Sequence, residues 1–306
     1  MSASSRHLLT TEHLSVDQVQ SLFQRAEDLN GKYSPADLKK ILLGQFVVNL
    51  FFNDSTRTRI SFEIAAKRLG ADVINVAIDR SSLNKGETFL DMLQNIQAMG
   101  ASCFVIRHPE TGILKELAPH LRIPVINAGD GNNEHPTQGL LDVMTMRRHK
   151  KNINGLTIAI CGDIAHSRVA RSNIPILLKM GAKVRVIAPQ SMMPPNYFGG
   201  QVQSFTDLRA GIKDADIVMM LRIQKERMQT DEVPNEREYA FHYGLDMEKL
   251  KLAKPDVLVM HPGPMNRGVE IDSAVADNPK HSIILDQVSM GVAMRMAILE
   301  WILAGK

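Results

Sequence analysis

The sequence predicts an α/β protein of two domains, each built on a mainly parallel sheet flanked by helices. Three observations carry this expectation. Short apolar runs rich in β-branched residues alternate with helix-periodic runs along almost all of the 306 residues. A polar stretch, Lys150-Lys151-Asn152-Ile153-Asn154-Gly155, interrupts the alternation near mid-chain, and the cycle then restarts. The strand ends, where open parallel sheets collect ligands, nearly all carry anion-binding or proton-handling side chains. The expected domains are residues 1–150, joined by a C-terminal helix at 288–306 that crosses back to them, and residues 151–287.

The elements follow in order. Phe46-Val47-Val48-Asn49-Leu50-Phe51-Phe52 reads as a first strand buried on both faces. Asn53 or Asp54 can cap the next helix, along which Ile60, Phe62, Ile64, Ala65 and Leu69 recur at helical spacing before Gly70 stops it. Asp72–Ile78 reads as strand, Glu87–Met99 as amphipathic helix and Ser102–Arg107 as strand. Ile113–Leu121 is then helix, Pro124–Asn127 strand, and Pro136–His149 a long helix. The second half gives strands at Leu156–Cys161, Val184–Ala188, Asp216–Leu221 and Val257–Met260, with a helix at Arg168–Met180. Val288–Leu303, which holds the single tryptophan Trp301, is apolar-periodic and long enough to pack across a domain. Tyr197–Gly200 and Gln224–Tyr243 read as loops.

Composition narrows the class of function. Apolar residues make up 44% and charged residues 23%, as in ordinary globular proteins. A net charge of +3 gives no case for a nucleic-acid or membrane-surface partner. The first residues, Met1 to His7, lack the apolar core of a signal peptide. The longest apolar stretch, Ile41 to Phe52, is broken by Gly44, Gln45 and Asn49 and falls short of the roughly 18 residues a membrane span needs. Cys103 and Cys161 sit inside strand-like runs, which predicts buried thiols in a reducing cytoplasm. Neither a CxxC nor a paired His/Cys spacing points to a metal site.

The strongest local signal is Ser55-Thr56-Arg57-Thr58-Arg59, where a buried strand turns into a helix. Free backbone N–H groups and the positive end of the helix dipole favour an anion there, and two hydroxyls with a guanidinium fork make a phosphate cradle. Later strand ends carry Ser81 to Glu87, Arg107-His108-Pro109, His135-Pro136-Thr137-Gln138, Asp163 with His166-Ser167-Arg168, Arg222-Ile223-Gln224-Lys225, and His261-Pro262-Gly263-Pro264. Taken singly, most have ordinary readings. His135 before a proline also fits a hydrogen-bonded helix-start histidine, Lys85-Gly86-Glu87 a solvated turn, and Arg222 and Lys225 surface charges. Arg168 at a helix start is unfavourable for the dipole unless an anion lies nearby. His166-Ser167 matches no nucleophile arrangement, and Gly162-Asp163 lacks the GxGxxG of a nicotinamide-binding loop.

Taken together and in this order, over essentially the full length, these motifs resemble the catalytic chains of the aspartate carbamoyltransferase family. The Ser-Thr-Arg-Thr and His-Pro-Thr-Gln motifs are shared by all transcarbamoylases, whereas Arg222-Ile223-Gln224-Lys225-Glu226-Arg227 is similar to the aspartate-type marker. Ser289-Met290-Gly291 is similar to a short ornithine-type motif but lies within the C-terminal helix pattern and reads as core. Asn53 stands where the family usually has a glutamate that helps hold a closed form, with Asp54 next to it.

The resemblance implies transfer of a carbamoyl group from carbamoyl phosphate to the amine of L-aspartate, an early step of pyrimidine biosynthesis, without a cofactor. It implies that Ser55, Thr56, Arg57 and Thr58 hold the phosphate and that Arg107 bridges phosphate and carbonyl oxygen. Thr58 and His135 would donate to that oxygen, while Gln138 and the backbone at Pro262 and Gly263 would orient the carbamoyl amide. Arg168 would take the α-carboxylate, and Arg222 with Gln224 the β-carboxylate. Ser81, serving the carbamoyl phosphate site, and Lys85, serving both substrates' sites, would reach a neighbouring subunit, which implies a homotrimer with shared sites. The resemblance leaves open whether such a trimer works alone, with a zinc-bearing regulatory chain, or with a dihydroorotase. The competing readings are a transcarbamoylase for another amine, a catalytically silent anion-binding homologue, and a nicotinamide oxidoreductase.

Overall fold

The computed structural model describes residues 7–53, 55–195, 197–224 and 235–303, and in it the apolar runs form two separate sheets. Every pairing within each sheet is parallel. The chain divides into two compact units, Met1–Leu141 with Met290–Lys306, and Asp142–Ser289. The division falls inside two long helices, one over Pro136–Lys150 and one over Ile284–Leu303.

In the first unit, α1 (Val16–Gly31) and α2 (Pro35–Leu38) precede β1 (Phe46–Phe51). Then come α3 (Thr56–Arg68), β2 (Asp72–Val76), α4 (Phe89–Ala98), β3 (Cys103–His108), α5 (Ile113–Leu117), β4 (Val125–Asp130) and the start of α6 (Pro136–Lys150). The sheet order is β2-β1-β3-β4. Val47 to Leu50 are buried because helices cover both faces of a central parallel strand, as the run of apolar residues requires. Leu8 extends the sheet beyond β4: its N–H donates to Val125 O (2.9 Å) and its carbonyl accepts from Asn127 N–H (2.9 Å). The opposite edge, β2, is mostly exposed, and Ile74 on it joins exposed Ile60 and Ile64 of α3 as apolar surface.

The second unit contains β5 (Thr157–Cys161), α7 (Arg168–Lys179), β6 (Lys183–Ile187), β7 (Gln203–Phe205), α8 (Leu208–Ile212) and β8 (Ile217–Met220). It continues through α9 (Glu236–Tyr243), α10 (Met247–Leu250), β9 (Leu258–Met260), α11 (Ser273–Ala276) and the first turns of α12 (Ile284–Leu303). Its sheet order is β7-β6-β5-β8-β9. Beyond Ser289, α12 belongs to the first unit, where Glu300 accepts a two-bond guanidinium fork from Arg25 of α1 (2.6 and 2.7 Å). Arg295 of the same helix lies over the Phe62 ring of α3 at 5.1 Å.

Two expectations are corrected. The residue that caps α3 is Ser55, not Asn53, and its side chain makes no capping bond; Asp54 lies outside the described residues. The stretch read as loop from Gln224 to Tyr243 ends in α9, whose start Asn235 caps by accepting from the N–H groups of Arg237 and Glu238. Tyr197–Gly200 is a kinked turn in which Phe198 and Gly199 have positive φ (52° and 58°), in keeping with the loop expected there. Both cysteines are buried and neither forms a disulfide, and burial pushes the Cys161 thiol well above its usual range. Among the described residues no helix is long and apolar enough to cross a membrane, and no three His, Cys, Asp or Glu side chains are grouped to hold a metal ion.

Candidate active site

Each strand order contains one reversal, and ligands of open parallel sheets bind outside the carboxyl ends at such a point. In the first unit the reversal lies between β1 and β3; in the second it lies between β5 and β8. Both places hold residues singled out from the sequence.

At the first reversal, β1 runs into α3, and β3 delivers Arg107 directly beside it, with Phe51 and Arg107 as register partners and Phe52 N–H donating to Arg107 O (2.9 Å). The start of α3 is built for an outside anion. Its first turn has no acidic residue, and the Ser55 side chain makes no capping bond, so the positive end of the helix dipole is not countered from within the helix. Thr58 is buried, whereas Thr56 and Arg57 are exposed.

His135 follows β4 on a loop fixed by Asp130. That buried carboxylate accepts from the N–H of Gly112 (3.0 Å) and Glu134 (3.1 Å) and from the amides of Asn127 (2.8 Å) and Asn133 (3.0 Å). The neighbouring Glu134 carboxylate accepts from Thr10 and Thr11 of the N-terminal segment. His135 is itself buried, and its carbonyl starts α6 by accepting from Gln138 N–H (2.9 Å). Ser81 and Lys85 are not drawn into this cluster. They lie on two consecutive 3-10 turns, Ile78–Arg80 and Ser82–Lys85, with Lys85 exposed. The bonds of Ser81 Oγ to Ile78 O (2.7 Å) and of Asn84 Nδ2 to Asp79 O (2.7 Å) stay within the loop.

One grouping was not foreseen from the sequence. His108 packs against Phe52 (4.4 Å between centroids) and stacks on Phe89 (5.4 Å) beside Arg107. Burial holds the His108 pKa below its ordinary 6.5, and its Nδ1 accepts from Glu110 N–H (3.1 Å), which requires that nitrogen to be bare. As pH falls below 6.5, the unfolded chain takes up a proton that the folded chain resists, so stability is lost in that window and unaffected above it. His108→Asn is expected to flatten the acid limb of Tm against pH while leaving its slope above about pH 7.5 unchanged. The flattening is partial, because His7 is depressed by burial in the same sense. An unaltered acid limb would exclude His108 as a source.

At the second reversal the backbones of β5 and β8 pass so closely that only glycine fits. Gly162 has φ of 133°, and a Cβ there would lie 2.4 Å from Leu221 O. Next to it, fully buried Asp163 accepts from His166 N–H (3.1 Å), His166 Nδ1 (2.9 Å) and, more weakly, Gln224 N–H (3.4 Å). Gln224 Nε2 donates to His166 O (3.0 Å), so two loops are laced together. This accounts for the unassigned His166-Ser167 pair: His166 binds Asp163, and Ser167 Oγ caps α7 by accepting from Ala170 N–H (3.1 Å). Arg168 opens α7 and is buried; Arg222 and Gln224 follow β8 half-buried. Lys225, Glu226 and Arg227 lie outside the described residues. After β9, His261 leads to Pro262 and Gly263, with Gly263 N–H donating to His261 Nδ1 (2.8 Å).

Two family models match in tandem. "Aspartate/ornithine carbamoyltransferase, carbamoyl-P binding domain" matches residues 6–148, and "Aspartate/ornithine carbamoyltransferase, Asp/Orn binding domain" matches residues 154–302. This chain belongs to the aspartate/ornithine carbamoyltransferase family. Within the family it is 54% identical to the aspartate carbamoyltransferase catalytic subunit of Rhodospirillum rubrum over 296 residues, covering 96% of this chain and 93% of that one. The corresponding subunit of Acidiphilium cryptum is 53% identical over 305 residues, covering 98% and 97%. Among solved structures, aspartate transcarbamoylase from Trypanosoma cruzi in complex with carbamoyl phosphate and aspartate aligns with a TM-score of 0.88 at 30% identity, covering 97% and 96%. The same enzyme with carbamoyl aspartate and phosphate gives 0.86 at 30% identity, covering 97% and 95%. The α3 cradle, Arg107 and His135 fall in the part matched as carbamoyl-P binding; Arg168, Arg222, Gln224 and the Pro262-Gly263 turn fall in the Asp/Orn part.

Proposed function

We infer that this chain transfers the carbamoyl group of carbamoyl phosphate to the amine of L-aspartate, giving N-carbamoyl-L-aspartate and phosphate. The observation that carries this reading is the pairing of unlike binding groups at the two sheet reversals. One offers a helix start with hydroxyls, arginines and no acidic residue in its first turn; the other offers arginines and Gln224, whose backbone N–H donates to a buried carboxylate.

In the reading that follows, the first unit holds carbamoyl phosphate. Ser55, Thr56, Arg57 and Thr58 bind its phosphate at the helix start. Arg107 spans phosphate and carbonyl oxygen, and Thr58 and His135 donate to that oxygen as negative charge develops on it. A donor of this kind commonly contributes about 3–4 kcal/mol. Gln138 and the backbone at Pro262 and Gly263 orient the carbamoyl amide. The second unit reads aspartate: Arg168 takes the α-carboxylate, and Arg222 with Gln224 the β-carboxylate. The amine forms the new bond to the carbonyl carbon, the bond from that carbon to the phosphate oxygen breaks, and the amine proton leaves on the phosphate dianion. No covalent nucleophile is needed, since holding the two reactants in line can itself supply roughly 7–11 kcal/mol.

A homotrimer with shared sites is part of this proposal. It is supported by the outward-facing Lys85 loop and by exposed Ile60, Ile64 and Ile74 next to the open edge of β2. Cytoplasmic residence is supported by two buried cysteines that form no disulfide. Purified chain is expected to form N-carbamoyl-L-aspartate and phosphate from carbamoyl phosphate and L-aspartate in metal-free buffer. L-Ornithine, assayed alongside, should be used far more slowly; faster turnover of ornithine overturns the choice of amine.

A further inference from the structure

We propose that Glu270 is a positioning residue for the 261–266 turn, acting with His261 to hold Pro262 and Gly263 against the carbamoyl amide. The inference rests on the proposed function only for what that turn binds.

One carboxylate oxygen clips both ends of the turn. Glu270 Oε1 accepts from His261 Nε2 (3.1 Å) at its start and from Asn266 N–H (2.6 Å) at its end. The imidazole tautomer is set by its surroundings. Gly263 N–H donates to Nδ1 (2.8 Å), so Nδ1 carries no proton and Nε2–H faces the carboxylate. His261 and Glu270 are both fully buried, where hydrogen bonds to a charged acceptor are strong and leaving either donor unmatched is costly. The backbone of His261 is fixed as well: its N–H donates to Gln287 Oε1 (3.1 Å), and Gln287 Nε2 donates to Asp142 Oδ1 (2.6 Å). Asp142 Oδ2 in turn accepts from Asn173 (2.8 Å) on α7, the helix that Arg168 opens. A buried polar chain therefore runs from the turn to that helix, with Glu270 as its terminal anchor.

Gln224 does not depend on Glu270 for its bonds, since it is tied to Asp163 and His166. Loss of the clip should consequently disturb the carbamoyl amide and leave aspartate capture intact. Steady-state kinetics in both substrates on Glu270→Gln, Glu270→Ala and His261→Asn, together with amide hydrogen exchange over residues 261–266, test this. Glutamine keeps an oxygen for both donors, so Glu270→Gln should stay within about threefold of wild type in kcat. Alanine removes the acceptor, and kcat should fall about a hundredfold, the usual consequence of an ångström of misplacement, with the aspartate KM within about twofold. His261→Asn, which keeps an acceptor for Gly263 N–H but does not reach Glu270, should lower kcat by at least about tenfold and covers the case in which Glu270→Ala fails to fold. Wild-type kcat in either variant, or a Glu270→Gln enzyme as slow as Glu270→Ala, overturns the proposal. A wild-type chain that makes no carbamoyl aspartate overturns the functional reading instead. Exchange then judges the clip alone: faster exchange at Gly263 and Asn266 in Glu270→Ala upholds it, and unchanged protection refutes it.

Discussion

Arg222→Ala is expected to lower kcat/KM for aspartate by roughly 30- to 5,000-fold, the equivalent of the 2–5 kcal/mol usual for removing one partner of a desolvated charge pair. The backbone beneath Arg222 is held on both sides. Leu221 N–H donates to Cys161 O (2.7 Å), Ile223 is buried, and Gln224 is laced to Asp163 and His166. Truncating the side chain should therefore remove its charge from the aspartate site without moving the loop. Carbamoyl phosphate, assigned mainly to groups of the other unit and otherwise to the Pro262-Gly263 backbone, should keep its KM within a few-fold. Arg222→Lys separates charge from geometry: a point charge replaces a planar fork, and an intermediate loss is expected. Thermal melting close to that of wild type would confirm that the loss is local. Equal and small effects on both substrates would make Arg222 a surface charge and leave the β-carboxylate without its reader.

How much of this was legible in the sequence differs by level. The parallel strands were readable because strands covered on both faces need unbroken apolar runs, as Val47 to Leu50 and Ile158 to Cys161 supply. The stop of α3 was readable at Gly70, whose φ of 87° and close approach to Lys39 O exclude a side chain. The cap was not, because Ser55 makes no capping bond and so departs from the pattern that Asn53 or Asp54 would have followed. The start of α1 is legible too, in the reciprocal capping box of Ser15 and Gln18 ahead of Val19, Leu22, Phe23, Ala26 and Leu29. Within the site, positions at strand ends could be found by rule. Strand order could not, since it depends on long crossovers, and it is the order that brings Arg107 beside the α3 helix and Gln224 beside Asp163. Buried partners distant in sequence, such as Gln287 and Asp142, leave no local pattern at all.

Mixing Lys85→Ala with Arg107→Ala chains under conditions that exchange subunits is expected to restore activity that neither parent has. Each parent should be at least about a hundredfold impaired, having lost a cation that stabilises charge in every site. Lys85 is exposed on a loop whose Ser81–Ile78 and Asn84–Asp79 bonds are internal, whereas Arg107 is in register with Phe51, at the end of β1 that leads to α3 of its own chain. In the proposed trimer, a head-to-tail ring in which Lys85 of one chain serves the site of the next, every mixed ring contains one site with both native residues. Random exchange at equal amounts then gives roughly a quarter of wild-type activity. A ring in which Lys85 served its own chain would contain no such site at any mixing ratio. Hybrids shown by mass to have exchanged, yet as inactive as their parents, would therefore place Lys85 in its own subunit's site or outside any site. Recovery that rises and falls with mixing ratio, greatest near equal amounts, distinguishes shared sites from refolding of damaged chains, because only site sharing depends on having both kinds of subunit in one ring.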